Sequence, residues 1–179
     1  MGGKLWLDLL NSQLVWNGEP VDHLAQAESF RHWVEVLGLE APQDWDGERR
    51  ELVALRQIIS SAFDDVAQGR VPAPAVIDAI NQPLARLSVT PRLHGDGAGI
   101  HLHHDRTING RRLAVLFAES FAQSLTEGEP ARLKHCENPR CSMVFHDFGR
   151  NNRRRWCSTT ICGNRDKVAR YRQRKNTQD

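Results

Sequence analysis

The first 135 of the 179 residues contain no cysteine, so no metal cluster or disulfide framework built on thiols belongs to that part of the chain. No apolar run approaches the roughly 20 residues of a membrane-spanning helix. The opening LWLDLL is interrupted by Asp8 and followed by Asn11, with no small-residue cleavage site. That excludes a secretory signal peptide, and the expected compartment is the cytoplasm, where disulfides are disfavoured. The glycine-rich stretch His94–Gly99 has no G-K-[ST] and no helix start behind it, which argues against a nucleotide phosphate loop. Acidic residues are scarce after residue 130. Residues 131–179 hold thirteen Lys or Arg against four Asp or Glu, a net +9, whereas residues 1–130 hold eleven against eighteen, a net −7. The near-neutral total of +2 hides a basic segment joined to an acidic one.

What is present is concentrated in that basic segment. All four cysteines lie there as two C-x4-C pairs, Cys136 with Cys141 and Cys157 with Cys162, separated by fifteen residues. Two close pairs on a long spacer can bring four thiolates to one tetrahedral ion, and four protein ligands close the site, which makes the ion structural. The first pair encloses the turn-forming Asn138-Pro139. The second opens a helical segment, with Ser158, Thr159 and Thr160 as candidate N-caps. One Zn2+ is the expected cofactor.

The charge around these cysteines points to a polyanion. Arg153, Arg154 and Arg155 are consecutive and repel one another unless an anion relieves them. The terminal helical segment then carries Arg165, Lys167, Arg170, Arg172, Arg174 and Lys175 against Asp166. A helix that is merely solvated interleaves both signs; a basic module beside a metal-nucleated helix is the footprint of a nucleic-acid binder.

Residues 162–165 read CGNR, preceded by the arginine run into Trp156-Cys157-Ser158 and followed by the basic tail. This segment resembles the CGNR zinc finger. In that family the finger follows an N-terminal region called the ABATE domain, whose opening LDFVNT-like motif is similar to Leu7–Ser12, LDLLNS, with Leu9-Leu10 in place of Phe-Val. The resemblance implies a treble-clef finger made of a knuckle, a β-hairpin and a helix that supplies the second ligand pair. It also implies a role in stress-induced transcription regulation.

Along the rest of the chain, residues 4–16 show helical spacing at Leu5, Leu9 and Trp16. Asp8 and Asn11 share one side of such a helix, where they either bond the local backbone, the reading we favour, or line a small-molecule pocket. Gly18 and Pro20 mark a turn. Asp22 is the expected cap of a helix over 24–37 with a stripe at Leu24, Ala27, Phe30, Val34 and Leu37. Helices are predicted over 46–68, after Pro74, and over 108–126. Residues 86–105 read as two short strands around 94–99, with His101 and His103 on one strand face, where exposed strand histidines are favoured over a second metal site. Gly128-Glu129-Pro130 ends this part. In the basic segment, Arg132–Cys136 and Val144, Phe145 and Phe148 read as strands, with a hairpin turn near 149–152. Ile161, Val168 and Tyr171 are expected to face the finger's core, and Lys167, Arg170 and Arg174 to face outward.

The fold class is therefore α+β: a mainly helical N-terminal domain with a small β-hairpin (1–130), followed by a treble-clef-like zinc finger (131–179). The function expected is a DNA-binding transcription regulator. Arg153, Arg154, Arg155, Lys167, Arg170, Arg174 and Lys175 meet phosphates of duplex DNA. Arg165 either reads a guanine edge or braces the knuckle, and Asn164 shapes the turn. The N-terminal domain senses a small-molecule effector or forms a homodimer; no membrane partner is expected. Two alternatives belong to other classes. One is a metal-dependent nuclease with His146-Asp147 as base and ligand, which needs a second metal site because four thiolates leave none open. The other is an RNA- or protein-interaction module.

Overall fold

A computed structural model describes residues 4–176, so residues 1–3 and 177–179 at the outer limits of the two expected modules lie outside the described residues. The elements in chain order are α1 (Leu5–Leu10), β1 (Gln13–Trp16), β2 (Glu19–Asp22), α2 (Ala27–Val36), α3 (Trp45–Ala67), α4 (Pro74–Leu84), β3 (Leu87–Asp96), β4 (Gly99–Ile108) and α5 (Arg112–Glu127). A 3-10 turn at Pro130–Arg132 leads to β5 (Leu133–His135), β6 (Val144–His146), a π-turn at Thr159–Gly163 and α6 (Asn164–Asn176). Among the described residues the strands form three separate two-stranded antiparallel sheets, β1–β2, β3–β4 and β5–β6. The class is α+β, as expected. Among the described residues no helix is long and apolar enough to cross a membrane.

The helical stripes read from the sequence make the core. Leu52, Leu55, Ile59, Ala62, Phe63 and Val66 on α3 are buried against Leu113, Phe117 and Phe121 on α5. Asp44 caps α3 by accepting a hydrogen bond from the Gly47 amide at 2.9 Å, the usual role of an N-cap aspartate. Short α1 lies between these two helices. Its Trp6 is fully buried, meets the Phe121 ring edge-on at 5.2 Å and donates its indole N–H to the Ser124 hydroxyl at 2.7 Å. Buried Glu48 on α3 accepts from the amides of Leu113 and Ala114, capping α5, whose own N-cap Arg111 supplies no side-chain cap. Burial holds the Glu48 carboxyl above its ordinary range in spite of those amides.

Several local expectations change. The helix at the N-terminus stops at Leu10, and residues 13–22 form a hairpin. Its turn is Asn17-Gly18, both at positive φ (58° and 90°), the conformation that favours Asn-Gly in two-residue hairpins. Helix α2 starts at Ala27, without a side-chain cap. Asp22 accepts from the Leu24 amide at 2.9 Å and forms a two-toothed ion pair with Arg56 at 2.8 and 2.9 Å. Arg56 is itself buried and also donates to the Ser12 hydroxyl. The strands of the β3–β4 hairpin are ten residues each, so α5 begins at Arg112. Phe148 is exposed, and no strand follows the 149–152 turn among the described residues; β6 pairs back with β5 across the first cysteine knuckle. Ile161, Val168 and Tyr171 are exposed rather than packed on a finger core; from Lys167 to Lys175 no residue of α6 is buried.

The Asp22–Arg56 pair carries a pH-dependent prediction. Burial works to raise the Asp22 pKa, but the Arg56 hydrogen bonds and the Leu24 amide outweigh it and hold it below the ordinary 3.8. A carboxylate with a depressed folded-state pKa stabilises above its unfolded pKa and loses that contribution as pH falls through the folded one. Asp22→Asn is expected to lower stability by about 2–4 kcal/mol at pH 7, since it strands a buried guanidinium. The gap between the two proteins should close as pH drops below 3.8. Urea unfolding of both from pH 7 downward checks it; a gap that is constant with pH contradicts the ion-pair account.

Candidate metal centre and nucleic-acid interface

The first cysteine pair sits in the turn joining β5 to β6. Asn138 builds that turn: its carbonyl oxygen accepts from the Arg140 amide at 3.0 Å, and its NH2 donates to the Cys162 carbonyl at 3.1 Å, tying the first knuckle to the second. In the second pair, Cys157 precedes the π-turn and Cys162 lies within it. Ser158 caps it by accepting from the Ile161 amide at 3.2 Å, one of the caps expected from the sequence.

The four Sγ atoms all lie within 4.8 Å of one another, with Cys141 and Cys157 3.8 Å apart and Cys157 and Cys162 3.6 Å apart. A tetrahedron with Zn–S bonds of about 2.3 Å has edges of about 3.8 Å, whereas a disulfide requires about 2.05 Å. The donor set and its spacing fit one zinc ion. The thiols themselves call for a cation. Burial and crowding by the neighbouring sulfurs push Cys157 far up and Cys162 up to about 12. Burial acts the same way on Cys136, but amide hydrogen bonds from Cys157 and Asn138 hold it below its ordinary range. Only a bound cation lets all four ionise together.

Each residue of the CGNR tetrapeptide has a distinct place. Cys162 is fully buried in the cluster. A side chain at Gly163 would meet the Trp156 ring at 3.2 Å, so glycine lets the indole lie against the turn. Asn164 donates to the Thr160 carbonyl at 2.8 Å, shaping the turn as expected. Arg165 stacks its guanidinium 5.1 Å over the ring of Trp16, a partner on the β1–β2 hairpin that sequence reasoning missed. The Asn17-Gly18 dipeptide was the signal that could have found that hairpin.

These features match two known sequence profiles. Residues 3–128 match ABATE, described as "Putative stress-induced transcription regulator", and residues 132–175 match zf-CGNR, the CGNR zinc finger. The chain belongs to the ABATE family and carries a CGNR zinc finger with one structural zinc ion. No curated protein shows significant sequence similarity to it.

The CGNR finger is welded to the ABATE domain along its β6 edge. Asn11 is buried and reads both backbone groups of Val144, donating to the carbonyl at 2.8 Å and accepting from the amide at 2.9 Å. The favoured expectation of a purely local role for Asn11 is thus replaced by a bond spanning 133 residues. The amide of Ser142 donates to Val15, Trp16 bridges Cys141, and Arg140 exchanges hydrogen bonds with the Asn17-Gly18 turn. Leu133 and Val144 belong to the ABATE core itself.

The basic residues divide into two groups. Arg154 is turned inward: it donates to the carbonyls of Trp156 and Cys157 and lies 4.7 Å over the Phe145 ring. Arg155 is half-engaged, paired with exposed Glu137 and stacked on Trp156. Arg153, Lys167, Arg170, Arg174 and Lys175 are exposed, with Arg170 2.9 Å from Asp166 one turn back. Asp147 is fully buried and accepts from Lys134, the Arg154 amide and the Gly149 amide, so it braces the 147–154 loop. On the β3–β4 hairpin, His94 and His103 lie 4.9 Å apart and His101 lies 3.3 Å from Asp96, an acidic partner the spacing did not show. Among the described residues only the four cysteines converge as a metal-ligating group.

Asp8 and Asn11 line one cavity of about 490 Å³ between α1, the β1–β2 hairpin and α2.

Proposed function

We propose that this protein is a zinc-dependent regulator that binds duplex DNA through α6 and the adjoining arginine loop. In this reading residues 1–130 form the regulatory module, and residues 131–179 form a treble-clef-like reading module. The observation that carries it is the posture of α6. From Lys167 to Lys175 every residue is exposed, and the stretch bears Lys167, Arg170, Arg172, Arg174 and Lys175 with no acid. A short helix of like charges is marginal in water on its own, and a helix anchored at one end by zinc and exposed along its basic stretch fits a DNA groove. Arg154 supports the site from beneath, and Arg165 positions the root of the helix against Trp16. The family descriptions name a regulator and a zinc finger and no enzyme.

Affinity should fall with salt at a slope of about 0.9 per phosphate contacted. Lys167→Ala and Arg174→Ala should each lower that slope by about one and weaken all duplexes alike, leaving zinc content unchanged. Arg154→Ala should instead reduce zinc retention and thermal stability, because it removes the bonds that close the second knuckle. The test is a salt titration on random and selected duplexes with structured RNA as competitor. Salt-independent binding, or preference for the RNA, overturns the duplex-DNA reading.

A further inference from the structure

The β3–β4 hairpin is amphipathic, and neither face is covered along most of its length. Its strands stay in register from Leu87↔Ile108 to Asp96↔Gly99, and directly opposed residues share a face. One face collects Leu87, Val89, Leu93, Ile100, Leu102 and Ile108; the other collects Ser88, Thr90, Arg92, His101, His103 and Asp105. Such alternation is the pattern of a sheet with one face buried. Yet residues 88–107 are all exposed, Leu93 by 73% and Ile100 by 78%. A two-stranded hairpin is marginal in water by itself, and a contiguous exposed apolar face marks a contact site. The two edges of the hairpin differ. The ladder runs through Pro91↔His104 without interruption. The Pro91 nitrogen, which has no N–H, therefore faces the outer edge of β3 and closes it to a further strand. β4 has no proline, and no other strand pairs with it among the described residues. His104 shares the orientation of Pro91, so the amides of Leu102, His104 and Arg106 point to the open edge.

We infer that the hairpin joins two copies of this chain, β4 pairing antiparallel with β4 of the second copy across a two-fold axis to form a four-stranded sheet. Charge selects this occupant first. A two-fold contact sets a patch against itself, which requires a patch without uncompensated charge. Arg106, the one Lys, Arg, Asp or Glu on the apolar face, is bound to Glu119 of its own α5 at 2.7 Å, and on the polar face Arg92 holds Asp105 at 2.9 Å. The lack of a free cation on the apolar face argues against nucleic acid there. Geometry agrees. Paired strands run opposite ways, so the tip of one hairpin lies beside the root of the other. At the root the apolar face looks onto its own helices: Arg106 reaches α5, and Leu87 and Ile108 are half-buried. The tip residues Leu93, Ile100 and Leu102 are thereby laid toward the helices of the second copy. The area suffices as well. The exposed stretch of the face is about 26 Å long and about 10 Å wide. Two arms, each covering an equal area of the other copy, bury roughly 1,000 Å², the least that a specific interface needs. A reversible dimer is therefore expected. One consequence rests on the proposed DNA binding: two α6 helices related by a two-fold axis would meet inverted half-sites.

The test uses the full-length, zinc-loaded protein without DNA. Sedimentation equilibrium should give twice the chain mass at micromolar concentration and the single mass on dilution. Hydrogen exchange should slow with rising concentration at the amides of Leu102, His104 and Arg106, while those of His103 and Asp105, turned toward β3, stay unchanged. His104→Pro should close the β4 edge as Pro91 closes that of β3, and Leu102→Lys should put a charge on the apolar face. Each should weaken dimerisation by about tenfold or more without changing zinc content or helical content. Thr90→Lys, on the polar face, should leave the dimer unchanged. The inference is overturned if the chain stays monomeric up to millimolar concentration, or if a dimer tolerates either His104→Pro or Leu102→Lys. Binding of the monomer to phosphatidylcholine vesicles, lost in Leu102→Lys, would assign the face to a lipid surface and equally overturn self-pairing. No DNA is present in these measurements, so a protein that dimerises yet binds no duplex keeps the interface and loses the proposed regulator function.

Discussion

Removing zinc, by chelation or by Cys162→Ala, is expected to unfold the segment around β5, β6 and α6 and, with it, to abolish the DNA binding proposed above. Metal binding supplies about 10–16 kcal/mol in small zinc modules at neutral pH. The finger's own core is small: apart from the thiols, its buried cluster contains Phe145. Without the cation, burial and crowding favour the protonated thiols of Cys157 and Cys162. The ABATE helices should remain folded but with a lower melting temperature, because Leu133 and Val144 complete their core. Elemental analysis should give one zinc per chain, and hydrogen exchange should show protection lost from about residue 131 onward. Protein purified without chelator that contains no zinc, or a zinc-free protein that keeps protection in β5 and β6, contradicts the closed four-cysteine site.

The second large effect is expected at Asn11, far from the metal. Asn11→Ala removes two buried hydrogen bonds and leaves the amide and carbonyl of Val144 without these partners. Stranding buried polar groups costs about 1–3 kcal/mol each, so a loss of about 2–5 kcal/mol follows, a large part of a domain's total stability. Because the bonds join the ABATE domain to the CGNR finger, the variant should also open the connection at residues 128–132 to proteolysis while zinc stays bound. Asn11→Asp is the sharper contrast. It can still accept from the Val144 amide, but it turns a carboxylate toward the carbonyl and should be at least as damaging. Denaturant unfolding with limited proteolysis decides between these outcomes; a variant as stable and as protease-resistant as the parent would mean that β1 and the knuckle hold the finger without Asn11.

The spread of consequences from one asparagine shows where reading the chain ran short. Leu7–Ser12 was legible as a motif and Asn11 as a polar residue on a helix side, but its partner lies 133 residues away. Nothing local announces an acceptor and donor on a distant strand. Asp22 failed in the same way. A cap and an ion-pair partner are the same residue type, and only the approach of α3 brings Arg56 within 2.8 Å.

Local chemistry, by contrast, was fixed early. The helical stripes of α3 and α5 follow from apolar spacing, which must be buried wherever the helices pack. The four-thiolate site follows from two cysteine pairs that one ion can gather, and the charge switch near residue 130 is a matter of counting. The tertiary structure decided which charges face out and which are consumed. Arg153 and Arg154 are neighbours of identical chemistry, yet Arg154 closes the second knuckle while Arg153 stays exposed. It also decided that Ile161, Val168 and Tyr171 have no core to enter, and that Trp16 serves a cavity, a cysteine cluster and an arginine at once. The role of Trp16 depends on contacts with segments more than a hundred residues away, and that of Arg154 on bends that turn the chain back onto it within a few residues; periodicity and spacing report neither.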